Sequence, residues 1–436
     1  MAVPDRIRSV SLARGGLSTQ LRGASPDRVP RLVRRGVHPW LDDAVAGIGL
    51  APEFQPVVSL ANARPVGFEA LSRWPALGNP DPQAVFAYAA ATGRLAELDR
   101  RCVDSVISAA LRDQLPRGAL LFVNCEPASG YVSRADNAVL ARAHDELQLV
   151  FEFTERGLLT HPRALLAKVA ALRSDGFALA IDDVGAHPDS LALLDVIAPD
   201  VIKLDRQLVQ NPTTYDQARI LAAVLAHHER TGAVILAEGI ETVAHLEQAQ
   251  AIGATLGQGF LFGAPGPLNT HHQVRWPPPI ESRGTARPPG TPFELVAASV
   301  PVRTARKETL LAYSRQIETL ARYAPDAPMV LTALQRAEHF TAATRRRYQQ
   351  LATSLPIVGI FGQDLSTDLG AGIRVTSLDP TDPLCAEWVV LVLGAQAAFA
   401  LIARERDDID QRFDFAITYD RSVVTAAARS LLGRMS

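Results

Sequence analysis

The chain has 436 residues, of which 47% are hydrophobic and 21% charged, and a formal net charge of −2. That length allows two or three domains with sizeable cores. The composition reads as globular and soluble, and the near-neutral charge excludes the basic groove of a protein that binds a nucleic-acid polymer. Three widely spaced cysteines, Cys102, Cys125 and Cys385, make neither a disulfide framework nor a zinc knuckle and point to a reducing cytosol.

Residues 1–38 are rich in Arg, Gly, Ser and Pro, lack a sustained apolar period, and are expected to form a disordered tail. No apolar core of a secretory signal is visible there, so a cytoplasmic location is expected. From about Trp40, short β-branched segments alternate with Ala/Leu-rich helical ones. Eight strand candidates appear in order: FQPVVSL, VGFEAL, ALLFVNC, LVFEFT, FALAIDD, DVIKL, AVILAEG and LGQGF. Strand–helix alternation predicts a parallel sheet under helices, and eight strands in this span fit an α/β barrel of the TIM (β/α)8 type. Only ANARP separates the first two strands. Five residues close a hairpin but cannot make a parallel crossover, so strand 1 is predicted antiparallel to strand 2.

The first domain is assigned to 39–270 and a Pro- and Gly-rich linker to 271–292. A second, smaller α/β domain occupies 293–436. It reads as a helix over about 304–322, strand MVLTAL, a helix over about 336–352, five strands from PIVGIFG to RFDFAITY, and the helix SVVTAAARSLL. Its sheet is predicted to be largely antiparallel, with no catalytic constellation. The longest apolar run, 388–403, is shorter than the ~20 residues a membrane span needs and reads as two strands around Gly394–Gln396.

In a barrel the chemistry lies at the C-terminal strand ends. Those ends supply Glu69, Asn124, Glu152, Asp182 with Asp183, Lys203 with Asp205 just after, Glu238 with Glu241 beyond it, and Gln258. A single Asp at such a place is commonly a helix cap. Polar groups at seven successive ends, each inside or just past an apolar run, are poorly explained by independent structural roles. Clustered carboxylates without countercharge are costly, and an all-oxygen donor set suits Mg²⁺, Mn²⁺ or Ca²⁺ rather than Zn²⁺, with two cations for in-line phosphoester displacement and Mg²⁺ or Mn²⁺ as the expected ions. Basic residues are almost all arginine; the only lysines are Lys168, Lys203 and Lys307. Lys203, flanked by apolar residues, therefore reads as a compact ammonium beside the attacking water rather than a snorkelling side chain. Glu238 reads as a ligand or water-orienting group, and Glu241 as structural.

These segments resemble a family. VGFEALSRW contains the E-A-L signature of EAL domains, bacterial phosphodiesterases of the messenger cyclic di-GMP. FQPVVSL, FVNCEP, FEFTE, AIDDVG, IKLDRQLV, ILAEGIET and GQGFLFGAP resemble the family's other motifs in order and spacing. The resemblance implies a modified barrel with one antiparallel strand. It implies a first metal held by Glu69, Asn124, Glu152 and Asp182, and a second by Asp182, Asp183 and Glu238. It also implies Lys203 as the water-activating residue, Gln258 near the reacting phosphate, Arg73 on a substrate phosphate, Gln55 on a guanine and Glu155 steadying the loop after strand 5. The implied reaction is hydrolysis of cyclic di-GMP to linear pGpG, and a homodimer through the barrel is expected from the family. The family continues its aspartate pair as DDFGTGYSSL; here it is DDVGAHPDSL, with Val184, Ala186, His187 and Pro188 changed. That divergence keeps a second reading open, a cyclic di-GMP receptor without turnover. A third is a barrel that has become an interaction module; retention of Arg73 and Gln258 argues against it. His187 reads as an exposed loop residue. The C-terminal region resembles a DICT-type sensory domain whose ligand these residues do not reveal.

Overall fold

The computed structural model describes residues 39–154, 160–186, 188–268, 290–324, 326–406 and 412–435. The expected N-terminal tail, Glu155, His187 and most of the linker lie outside them. Eight strands close into a barrel in sequence order: β1 (Ala51–Ser59), β2 (Arg64–Arg73), β3 (Leu120–Asn124), β4 (Gln148–Thr154), β5 (Ala178–Val184), β6 (Val201–Leu204), β7 (Val234–Ala237) and β8 (Leu256–Gly257). β1 pairs antiparallel with both β2 and β8, as the short hairpin required; the pairs from β2 to β8 are parallel.

Nine helices of the described residues accompany this barrel: α1 (Pro39–Val45), α2 (Pro82–Ala91), α3 (Leu95–Arg112), α4 (Ala138–Glu146), α5 (Pro162–Ser174), α6 (Leu194–Ile197), α7 (Arg206–Gln210), α8 (Tyr215–Thr231) and α9 (Val243–Ala251). Their starts are locally specified. Asn137 accepts from two first-turn amides of α4, and Thr214 and Gln217 form a reciprocal capping box on α8.

Side chains two apart on a strand share a face, and that period builds the site. Phe122, Val150, Ala180, Val201, Leu236 and Leu256 form a buried apolar cluster inside the barrel. Two residues further along the same strands, in or just past them, stand Asn124, Glu152, Asp182, Lys203, Glu238 and Gln258. Each inward row thus changes from apolar to polar on approaching the C-terminal mouth. In β1, which runs the other way, the same step leads from Val57 back to Gln55, the residue paired with Glu69.

The second domain holds α10 (Pro292–Ala297), β9 (Arg303–Arg306), α11 (Lys307–Tyr323), β10 (Met329–Arg336), α12 (Ala342–Ala352), β11 (Val358–Gln363), β12 (Arg374–Ser377), β13 (Glu387–Leu393), β14 (Ala398–Glu405), β15 (Arg412–Thr418) and α13 (Arg421–Leu432). The sheet order is β12-β11-β10-β13-β14-β15-β9. Two pairs are parallel and four antiparallel, in line with the expected largely antiparallel sheet. One expectation is corrected at the edge. Residues 304–306 were expected to begin the helix, but together with Arg303 they pair with β15 as β9, and the helix starts at Lys307. A four-residue exposed edge strand offers too few alternating positions to announce itself in sequence.

Alternation along β13 divides the second domain's core. Val389, Leu391 and Leu393 join an apolar cluster that also contains Val424 and Leu431 of α13 and Leu194 and Ile197 of the barrel. Trp388, Val390 and Val392 face the opposite side, with Leu310 and Ile317 of α11 and Tyr348 of α12. α13 packs against α5 and α6 of the barrel.

Candidate active site

Lys203 Nζ lies 2.8 Å from Glu238, 2.9 Å from Glu152, 2.9 Å from Asp182 and 3.3 Å from Glu69. The lysine and Glu152 are fully buried. An ammonium has three protons, so it cannot aim one at each of four carboxylates and acts here as a shared countercharge. Burial by itself would favour neutral lysine, but the four carboxylates outweigh it and hold the ammonium well above its ordinary pKa. The acids divide among themselves. Burial drives Glu152 and Glu238 well above the carboxylate range despite the lysine. Burial also acts on Glu69, but Lys203 and hydrogen bonds from Gln258 and Asn124 bring it below its usual value.

The rim is tied to this centre. Asn124 Nδ2 donates to Glu69 at 3.1 Å, and Gln258 Nε2 donates to Glu69 at 2.7 Å and to Gln55 at 2.8 Å. Gln55 in turn donates to the Gly263 carbonyl at 3.2 Å. Gly259, next to Gln258, has φ +154°, and a Cβ there would meet the Ile240 backbone at 2.2 Å, so only glycine lets this turn close.

Adjacent strand residues normally point to opposite faces, yet Asp182 and Asp183 both line the same cavity. The backbone explains this. Asp183 adopts φ 57°, and the β5–β6 register shifts between Ile181 and Val184. Left-handed geometry at one residue interrupts the alternation, and aspartate is among the few non-glycine residues that tolerate it.

Glu69, Glu152 and Asp182 offer oxygen atoms within 4.8 Å of one another, and so do Asp182, Asp183 and Glu238. All-oxygen donors, three to a group, buried in the first group and with Asp183 exposed in the second, fit a divalent cation of the hard class. A cavity of about 570 Å³ opens from these groups and is walled by Arg73, Gln83, Phe86, Glu126 and Thr154. Arg73 lies on that wall with its guanidinium paired to Glu53 at 3.2 Å.

Two expected residues stand apart from the cluster. Asp205 caps α7, accepting from the Gln207 amide at 2.8 Å. Glu241 accepts from Gln210 at the surface. Glu155 is outside the described residues.

Sequence reasoning missed a second polar centre behind β3. Lys168 of α5 is buried and donates to Asp99 of α3 at 3.1 Å, to Ser129 Oγ at 2.7 Å and to the Glu126 carbonyl at 2.8 Å. Asp99 also accepts from the Glu126 amide at 2.9 Å and from Ser129. The scarcity of lysine was the available signal, and it applied to Lys168 as much as to Lys203.

A family model described as the EAL domain matches residues 39–265, more than half of the chain. The chain belongs to the EAL domain family. A second model, described as a sensory domain in diguanylate cyclases and two-component systems (DICT), matches residues 295–406. Among curated relatives of the EAL barrel, the cyclic di-GMP phosphodiesterase RocR of Pseudomonas aeruginosa is 31% identical over 251 residues, covering 55% of this chain and 64% of RocR. The probable cyclic di-GMP phosphodiesterase PdeG of Escherichia coli is 29% identical over 225 residues, covering 50% of this chain and 44% of PdeG. Of solved structures, a manganese and cyclic di-GMP complex of Klebsiella pneumoniae BlrP1 is 31% identical, with TM-score 0.44, covering 50% of this chain and 56% of that one. The chain spans less than two thirds of the length of these curated relatives. No helix among the described residues is long and apolar enough to cross a membrane.

Proposed function

We propose that this EAL barrel is a metal-dependent phosphodiesterase that hydrolyses cyclic di-GMP to linear pGpG in the cytoplasm, under the influence of its C-terminal domain. The observation that carries the reading is the buried meeting of Lys203 with four carboxylates, two of which, Glu152 and Glu238, are pushed towards their protonated forms without a cation. Glu69, Asn124, Glu152 and Asp182 are assigned to one divalent cation, and Asp182, Asp183 and Glu238 to a second, with Mg²⁺ or Mn²⁺ as the expected ions. When bound, the cations supply positive charge against the phosphoryl oxygens and acidify water.

The chain's own groups do the remainder. Lys203 orients the attacking water, and Glu238 fixes the same water from the adjacent strand end. Arg73 holds a phosphate oxygen after exchanging Glu53 for substrate. Gln258, already fixed by Glu69 and Gln55, borders the reacting phosphate, and Gln55 faces a guanine. Water oxygen bonds to phosphorus in line as the P–O3′ bond breaks, and the 3′ oxygen gains a proton.

Incubating the full chain with cyclic di-GMP and Mn²⁺, then separating the products, tests this. pGpG should appear, and should be absent with EDTA and in Glu69→Ala. Tight binding without product would favour the receptor instead. The specific feature on that side is the changed segment after Asp183, where Val184 is fully buried in place of the family's aromatic residue.

A further inference from the structure

Glu126 stands two residues beyond Asn124 and lines the same cavity as Asp182, Arg73 and Phe86. Its main chain is fixed on both sides. Its amide donates to Asp99 at 2.9 Å, and its carbonyl accepts from Lys168 at 2.8 Å and Ser129 at 3.0 Å. The positive charge of Lys168 is spent on Asp99. Among the described residues, the Glu126 carboxylate has no hydrogen-bond or ion-pair partner of its own. The result is a half-buried carboxyl group on a main chain fixed from both sides, outside the carboxylate cluster yet in the same cavity.

Two parallel acceptors at the spacing of a carboxylate match two adjacent N–H donors. Guanine presents that pair on its Watson–Crick edge, N1–H beside the 2-amino group. Adenine presents an acceptor at N1 and is repelled. Phe86, half-buried on the wall of the same cavity, is an aromatic side chain of the kind on which a purine can stack. Resting on the cyclic di-GMP reading above, we propose that Glu126 is a specificity-determining residue that accepts from N1–H and the 2-amino group of one guanine of the substrate. Lys168, Asp99 and Ser129 are the residues that position it.

Glu126→Gln keeps the size but turns one acceptor into a donor. The experiment compares the full-length wild type and this variant, with Mn²⁺, on three diesters. One is cyclic di-GMP, the second its inosine analogue without the 2-amino groups, and the third bis(p-nitrophenyl) phosphate, which has no base. The KM for cyclic di-GMP should rise about tenfold or more, the usual scale of one bidentate base contact. The wild type should prefer cyclic di-GMP over the inosine analogue, and the variant should lose most of that preference. Turnover of the base-free diester should be retained, which separates reading the base from a damaged fold or cation site. Equal losses on all three substrates, or an unchanged KM for cyclic di-GMP, would overturn the assignment. If the wild type binds cyclic di-GMP without hydrolysing it, only the catalytic reading fails, and the same ratios are read from Kd by calorimetry. If it does neither, the substrate reading falls and this inference falls with it.

Discussion

Lys168 and Lys203 are the two buried lysines of the described residues, and each places a compact ammonium among oxygens. Lys203 was legible because it lies near the end of a strand in a barrel whose other strand ends carry mostly carboxylates. Lys168 was not, because it lies on a helix and its partners, Asp99 and Ser129, come from distant parts of the chain. Removing one partner of a buried pair leaves an uncompensated charge, which typically costs about 3–5 kcal/mol. Lys168→Met should therefore destabilise the protein by roughly that amount in urea denaturation, and Asp99→Asn added to it should recover part of the loss. Equal stability of wild type and Lys168→Met would show that the pair contributes nothing to the fold. The aspartate pair teaches a related lesson. Its residues were read as a pair on one site, and both line one cavity; how two neighbours reach it depends on a backbone angle, φ 57° at Asp183, that no periodicity encodes.

The element that follows those aspartates leads through a 3-10 turn over Pro188–Leu193 to α6, and α6 is held from the second domain. Arg421 of α13 pairs with Asp195, and Arg429 donates to the Val196 carbonyl at 2.8 Å and the Asp195 carbonyl at 3.0 Å. Asp195 also meets His227 at 3.0 Å and Arg230 at 3.3 Å, both from α8. Burial would raise its pKa, but the His227 hydrogen bond, then Arg421 and Arg230, outweigh burial and lower it to about 2. The folded pKa is thus depressed from 3.8. The contribution, about 2 kcal/mol, is fully present above the unfolded value and is lost as pH falls through the folded one. Carbon-detected NMR should find Asp195 titrating near 2 in the wild type and closer to 3.8 in Arg421→Ala. The same variant should speed hydrogen exchange at residues 191–197. An unchanged titration would remove Arg421 from the clamp. Most strands and helices of both domains, β9 excepted, were readable from their periods, whereas this contact joins residues more than 220 positions apart and left no local trace.

At the scale of the whole molecule, the two domains share an apolar core rather than a thin seam. Val424, Ala427, Ala428 and Leu431 of α13 are fully buried, in the cluster that includes Leu191, Leu194 and Ile197 of the barrel and Leu391 and Ile402 of the second sheet. Each large aliphatic side chain buried contributes about 1.5–3 kcal/mol relative to exposure. Unfolding the second domain alone would strip that cover from α6 and strand Asp195 without Arg421. Neither domain should then survive the loss of the other near the midpoint. Calorimetry of the full chain should give one transition whose calorimetric and van't Hoff enthalpies agree. Two separated transitions would mean that α13 does not hold the barrel. The same continuity gives the C-terminal domain a physical route to the site. A change in the second sheet that shifts α13 should therefore bear on α6, which α13 contacts and which lies on the segment leading from the paired aspartates. Shortening the chain before Arg421 should therefore both destabilise the barrel and weaken divalent-cation binding, measured as a smaller rise in Tm on adding Mn²⁺. An undiminished rise would confine the influence of α13 to stability.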